Sequence, residues 1–291
     1  MITKKAGTIL LNLEKQQIAL IYRESKEDYS FPKGHLEPNE TLAECAIRET
    51  EEETLRANHL LINQPIYIDK YVTPAGEDVE NYMYISIDDG PTTKNIKPED
   101  MEIVRWFRFE DVEQKLSYPS LRALWNFAKE AVAGIFESKG VLTNPILVDL
   151  AICPTCYNRE NNGIVYGDDT DTLLFKNDTL ECFFVGNPRA DGHIAISSKP
   201  HYKDMMDAPD ELCCEIFVFA KKLMNIIKQV YKCESVYLCT MCDGPMNHFH
   251  VQLIPRYNFE KRGSKNFVKP RKEFVPNKEK TEEIRNLLKE L

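Results

Sequence analysis

The sequence predicts two domains of different class, an α/β domain over residues 1–140 and an α+β domain with an antiparallel sheet over residues 141–291. The order of elements gives the two classes, and the length, charge and cysteine placement of the chain accord with two halves. A chain of 291 residues is long enough for two ordinary domains. Its charge is split unevenly, with 17 Lys and Arg against 25 Asp and Glu in residues 1–140 but 20 against 21 in the remainder. Its nine cysteines divide in the same way, since only Cys45 lies in the first half. The join is read near residue 140, where GVLTNPILVDLAICPTC opens on Gly140.

In chain order, AGTILLNL (6–13) and QQIALIYR (16–23) read as two strands across a short polar turn. A glycine turn at Pro32–Gly34 leads into a helix over about 40–54. Strands follow at 65–73 and 81–87, flanking the turn Pro74–Gly76, and another from Glu102 to Phe107. Residues 118–139 are helix-like, with Leu121, Leu124, Trp125, Phe127, Ala128, Ala131 and Ile135 forming an apolar stripe. The second half offers strands at 173–176, 181–185, 193–197, 235–240 and 249–255. An amphipathic helix spans Asp210–Tyr231, and a last helix starts near Lys280. Helices kept apart from a mostly antiparallel sheet give the α+β class.

Composition narrows the function. A hydrophobic share of 43% with 29% charged residues is that of a globular protein. No apolar run approaches the roughly 18 residues of a membrane span. The N-terminal MITKKAGTILLNL reads as a first strand, since its apolar run is short and charge returns at Glu14. A net charge of -9, concentrated in the first half, argues against a nucleic-acid surface, which needs clustered Lys and Arg. An odd number of cysteines without a leader segment fits a reducing, cytoplasmic setting with buried or metal-bound thiols.

The stretch FPKGHLEPNETLAECAIRETEEETL (31–55) carries the first chemistry. Glu49, Glu52 and Glu53 stand at i,i+3 and i,i+4 spacing, so their carboxylates share one helix face, with Glu40 and Glu44 earlier in the run. Such like charges repel, and a hard divalent cation relieves them through oxygen ligands. A solvated acidic face is the bland alternative. The spacing Gly34, Glu40, Arg48-Glu49, Glu52-Glu53 resembles the Nudix box, G-x5-E-x7-R-E-U-x-E-E-x-G-U, with every charged position filled. Thr50 departs from it where an aliphatic is usual, as do Leu55 at the closing glycine and Arg56 at the final apolar place.

The resemblance implies a mixed sheet in an α/β/α sandwich and metal-assisted hydrolysis of a phosphoric anhydride. Magnesium or manganese would be held by Glu49, Glu52 and Glu53. Glu52 or Glu53 would be the general base, and Arg48 and Glu40 would support them. Lys33, Gly34 and Tyr71 are expected on the substrate side, with Tyr82 as a further candidate for stacking. One of Glu99, Asp100 or Glu102 would complete the site. The PKGH of residues 32–35 is similar to the box opening of Nudix hydrolases of diadenosine polyphosphates and diphosphoinositol polyphosphates.

Four of the six histidines fall in GHIAISSKPH (His193, His201) and NHFHVQLIPR (His248, His250). On a strand, His248, His250 and Gln252 alternate onto one face. His59 stands alone and is read as surface. Residues 152–271 resemble the histidine-triad (HIT) superfamily, whose H-x-H-x-H/Q strand and G-H…P-x-x-H region these segments match. The resemblance makes His250 the nucleophile that forms a nucleotidyl-histidine intermediate, with Gln252 catalytic at the third position. An unperturbed imidazole is neutral and nucleophilic at neutral pH. Glutamine there is similar to the nucleotidyltransferase and phosphorylase branch, and favours transfer to phosphate over hydrolysis.

The C-x2-C of Cys153 and Cys156, with two distant histidines, makes a tetrahedral Cys2His2 set for structural zinc. Zinc-bearing HIT members imply the ligands Cys153, Cys156, His201 and His248, against a bland reading of two buried thiols. His193 is left for a phosphate-side or structural role. Together the halves imply a bifunctional enzyme of dinucleoside polyphosphates such as diadenosine tetraphosphate. The alternatives are a Nudix hydrolase of another nucleoside diphosphate derivative, such as a nucleotide sugar, beside a HIT domain of separate specificity, or a nucleotide-binding sensor. Nucleotides are the expected partners, with no membrane or nucleic acid. A homodimer through residues 210–260 is a family-level expectation.

Overall fold

The computed structural model describes residues 2–73, 75–96, 102–166 and 171–290. Contacts divide the chain into Met1–Leu150 and Ala151–Leu291. The first unit therefore runs about ten residues past the join read near 140, because the segment after Gly140 folds back: helix α4 (Asn144–Asp149) packs on helix α3 (Pro119–Glu137) and seats Ile146 against Gly134.

The first unit is built on β1 (Thr3–Asn12), β2 (Gln17–Arg23), β3 (Asp28–Ser30), β4 (Lys33–His35), β5 (Arg56–Leu60), β6 (Tyr67–Val72), β7 (Asp78–Pro91) and β8 (Glu102–Arg108). The path β3-β2-β1-β7-β5 is extended by β4 on β1, β6 on β7 and β8 on β2. Only β1 and β7 pair in parallel, so the sheet is mixed. Its central strands read as near-continuous apolar runs because both are buried, with Ile9, Leu10, Leu11, Ile18, Ala19 and Leu20 fully enclosed. Three strands go beyond the sequence reading: β3, β4 and β5 are short or polar and carry no hydrophobic alternation. The short α2 spans Val112–Lys115. In α3 the predicted stripe is buried except for Phe127, which is half-buried beside Tyr67, and Trp125 lies against Phe31 and Phe109 with centroids 6.5 and 5.2 Å apart.

Helix α1 (Leu42–Thr54) starts at a capping box in which Thr41 and Glu44 each bond the other's backbone N–H. It ends at Leu55, which adopts the left-handed conformation (φ 56°) that the closing glycine of the box would take without strain. The other two departures are absorbed by local partners. Thr50 is buried and shares a hydroxyl ladder with Thr8 (2.9 Å) and Ser86 (2.8 Å from Thr8). Arg56 grips the buried Asp88 carboxylate with two bonds of 2.8 Å.

In the second unit β9 (Leu173–Lys176), β10 (Leu180–Phe184), β11 (Ile194–Ser198), β12 (Ser235–Cys239) and β13 (His250–Arg256) form an antiparallel sheet ordered β12-β13-β11-β10-β9. Helix α5 (Pro154–Glu160) precedes it, α6 (Asp210–Tyr231) lies within it in sequence and α7 (Lys278–Lys289) closes the chain. Leu212, Ile216, Ala220, Leu223 and Ile227 recur at helical spacing along α6 and pack on Ile194, Ile196, Val251 and Leu253. The strand pleat turns the alternate residues Ala195, Ser197, His250 and Gln252 to the opposite face. Among the described residues no helix is long and apolar enough to cross a membrane.

The hydroxyl ladder makes a prediction against the usual composition of the box. Thr50→Val restores an aliphatic but strips Thr8 of a buried partner, and should destabilise the first unit by about 1–2 kcal/mol. Both tryptophans, Trp106 and Trp125, lie in this unit. Denaturant unfolding followed by tryptophan fluorescence therefore reads it, and an unchanged or raised midpoint would count against the ladder.

Candidate active sites

In the first unit, β4 and α1 assemble one centre around Arg48. Its guanidinium grips Glu40 (2.7 and 2.9 Å), Glu49 (2.8 Å), Glu52 (3.0 Å) and the carbonyl of His35 (3.0 Å). Arg48 thus bridges three carboxylates. Glu53 instead accepts the backbone N–H of Lys33 at 3.0 Å. The three glutamates share a helix face, but their oxygens do not converge, because Arg48 and Lys33 each hold some of them.

Gly34 is required by proximity: a Cβ built on it would lie 1.9 Å from a Glu49 oxygen. The glycine lets the glutamate carboxylate lie directly over the turn. Burial raises the pKa of Glu49, as do Glu52 and Glu40, against the lowering pull of Arg48. Glu40 is shifted down, chiefly by its bonds to Arg48. A half-buried carboxylate among like charges suits a divalent cation, and the donor set is all hard oxygen.

Lys5, one strand away on β1, is a residue that sequence reasoning missed. It pairs with His35 across β1 and β4 and senses both Glu49 and Glu53. Burial is the main cause of its lowered pKa. Nothing in the pattern of β1 distinguishes this lysine from Lys4. Tyr71 sits on β6, half-buried, with its phenol pKa raised by burial and by Asp69. It shares the neighbour Arg23 with Lys5. Tyr82 donates to Glu80 at 2.8 Å, so its hydroxyl is engaged within its own strand. Glu99 and Asp100 lie outside the described residues, and the backbone of Glu102 pairs with Arg23. His59 is exposed and bonds Asp89 at 2.9 Å.

The second centre lies on the face of the second sheet away from α6. Cys153 and Cys156 at the start of α5, with His201 and His248, bring four donor atoms within 4.8 Å of one another. His248 Nδ1 lies 3.5 Å from Cys153 Sγ and 3.4 Å from Cys156 Sγ, His201 Nδ1 lies 3.5 Å from Cys156 Sγ, and the two Nδ1 atoms are 3.4 Å apart. Tetrahedral corners around zinc, at bond lengths of about 2.0–2.3 Å, are about 3.5 Å apart, so both the spacing and the donor types fit. Among the described residues this is the one group of three or more such side chains that could hold a metal ion. Bonding to Cys156, and then the His248 ring, draws the Cys153 thiol pKa down.

From this cluster a hydrogen-bond chain runs outward and fixes each tautomer. His248 Nε2–H donates to the Ser198 carbonyl at 2.7 Å, leaving Nδ1 to face the sulfurs. β13 begins at His250, so His248 precedes the strand on which it was expected. Its free carbonyl accepts His250 Nδ1–H at 2.8 Å, which leaves the lone pair of His250 on Nε2. Gln252 Nε2 donates to that nitrogen at 3.1 Å, while Gln252 Oε1 accepts from His193 Nε2 at 3.1 Å. His193 Nδ1 accepts the backbone N–H of Arg189 at 3.0 Å.

This geometry corrects the phosphate-side expectation for His193. Its ring is 1% exposed with both nitrogens engaged, so it stands behind Gln252. Burial pushes its pKa down to about 4, keeping it neutral as this bonding requires.

The NUDIX domain family matches residues 1–126 and the HIT domain family residues 167–259. Over 99 residues the chain is 26% identical to an uncharacterized HIT-like protein of Methanocaldococcus jannaschii, spanning 32% of this chain and 75% of that protein. Among solved structures it is similar to a binary complex of an Ap4A hydrolase of C. elegans, at 19% identity and TM-score 0.38, covering 45% of this chain and 98% of that one. A zinc-bound histidine triad family protein from Mycobacterium smegmatis is similar at 14% identity and TM-score 0.38, covering 47% of this chain and 94% of that one. The chain is a fusion of a NUDIX domain, residues 1–126, with a HIT domain, residues 167–259, two domain types that act on nucleotide derivatives.

Proposed function

We propose that the chain is a bifunctional enzyme of dinucleoside polyphosphates, with diadenosine tetraphosphate the first substrate to test. Its NUDIX half would cleave by activated water and its HIT half through a nucleotidyl-histidine. The observation that carries this reading is the hydrogen bonding that orders the key side chains of each half. The charged box is intact around Arg48, and the His250 lone pair is presented by a fixed carbonyl.

In the NUDIX half Glu49, Glu52 and Glu53 would hold magnesium or manganese, which supplies charge neutralisation at the phosphates and lowers the pKa of an attacking water. Arg48 keeps the carboxylates at fixed separations, and Lys33 and Gly34 set the floor of the turn beneath Glu49. Glu52, whose side chain is 44% exposed, is the carboxylate assigned as general base. Glu53 is anchored by the Lys33 N–H and orients the site.

In the HIT half, Nε2 of His250 attacks the α-phosphorus. The N–P bond forms as the P–O bond to the leaving phosphate breaks, and Nδ1–H to the His248 carbonyl steadies the charge on the ring. Gln252 donates to Nε2 at rest and, once that lone pair is engaged, to a phosphoryl oxygen. It has no proton to give a leaving group, so phosphate is the expected acceptor in the second step. Zinc held by Cys153, Cys156, His201 and His248 would supply rigidity by fixing the residue whose carbonyl aims the nucleophile.

Diadenosine tetraphosphate incubated with singly substituted proteins separates the two centres. Glu52→Gln should reduce water-dependent cleavage to ATP plus AMP by about a hundredfold or more, whereas His250→Ala should leave it intact and abolish phosphate-dependent cleavage. No cleavage by the unmodified chain, with nucleotide sugars consumed instead, would overturn the shared substrate. Gly34→Ala, which pushes the Glu49 carboxylate away, should slow the NUDIX reaction by about a hundredfold with little effect at His250. Elemental analysis of protein purified without chelator should find one zinc per chain, lost in Cys156→Ser. Absence of zinc from the unmodified protein would remove the Cys2His2 proposal.

A further inference from the structure

Beside the His250 relay the second unit carries two guanidinium groups with no acidic partner among the described residues. Arg189 Nη1 donates to the Lys269 carbonyl and Arg271 Nη1 to the Asn187 carbonyl at 2.9 Å. Lys272 N–H bonds the Pro188 carbonyl at 3.0 Å, so segments 187–189 and 269–272 are tied side by side. Arg159, Arg256 and Arg285 each hold a glutamate. Neither Arg189 nor Arg271 pairs with a carboxylate among the described residues. The Nε of Arg189 is buried with no hydrogen-bond partner, a state that native structures rarely leave unfilled.

The position of these groups matters as much as their number. His193, which accepts the Arg189 backbone N–H and bonds Gln252, senses the charges of both Arg271 and Arg189, so the pair lies on the His193 side of the relay. The Arg189 charge also reaches the Cys239 thiol, though burial affects that thiol more, and Cys239 faces Gln252 across the β12–β13 pair. Arg271 is exposed, which leaves it open to a ligand from solvent. Two neighbouring like charges and an orphaned buried donor call for an oxyanion, and the guanidinium fork matches phosphate.

We propose that Arg189 and Arg271 form a phosphate subsite on the His193 side of the His250 relay, taking the phosphates of a polyphosphate chain beyond the one attacked. This deepens the reading of His250 as nucleophile and rests on it, but its test does not need turnover. Inorganic tripolyphosphate is the probe, and the readout is the rate at which diethyl pyrocarbonate modifies His250, followed by peptide mass spectrometry with the exposed His59 as internal reference. Tripolyphosphate should protect His250, and the half-protecting concentration should rise about tenfold in Arg271→Gln and in Arg189→Gln. Arg271 is exposed and the Lys272 N–H bond to Pro188 still ties the two segments in its variant, which therefore decides the matter alone.

No protection in the unmodified chain, or equal protection in Arg271→Gln, overturns the subsite. Protection that is lost in Arg271→Gln, in a protein whose His250 never carries a nucleotide, supports the subsite while removing the nucleophile reading.

Discussion

The bond from His250 Nδ1–H to the carbonyl of His248 is the contact on which the second half depends. It decides where the imidazole lone pair points, and it exists because His248 falls just outside the strand, with its carbonyl free of the sheet ladder. The same residue sends its ring the other way, with Nδ1 towards two sulfurs and Nε2–H to the Ser198 carbonyl. A single residue thus joins a metal-type cluster to the backbone that orients the proposed nucleophile. Moving His248 by an ångström would disturb both, which gives the cluster a mechanical purpose although it lies apart from the proposed reaction.

The first half solves a different problem, the crowding of negative charge. Three glutamates at helical spacing repel one another, and Arg48 offsets that repulsion by bonding Glu40, Glu49 and Glu52 together. Gly34 then permits an approach to Glu49 that any side chain would block. The two halves therefore use opposite devices. In one, a cation fixes anions for a site built on charge; in the other, neutral rings are ordered end to end through donors and acceptors.

Much of this was legible because spacing carries chemistry. Glu49, Glu52 and Glu53 could be placed on one face from helical period alone, and the apolar stripes of α3 and α6 were readable in the same way. The Cys153, Cys156, His201, His248 group was legible only through family resemblance, since its members lie up to 95 residues apart. What escaped reading was what periodicity does not encode. The strands β3, β4 and β5 are held by their neighbours and not by their own pattern. Lys5 joins the first centre through cross-strand pairing, and Arg189 and Arg271 meet because two loops are laced together. Glutamine at position 252 spoke of phosphate chemistry, but the burial of His193 behind it was a matter of packing.

The most direct measurement is the capture of the covalent intermediate. Glu52→Gln protein, which isolates the HIT centre, is mixed with diadenosine tetraphosphate, quenched at alkaline pH and examined by intact-protein and peptide mass spectrometry. One nucleotidyl group per chain is expected, borne on His250 and absent from His250→Ala. Phosphate-dependent cleavage with no adduct, or an adduct on a residue other than His250, would contradict it.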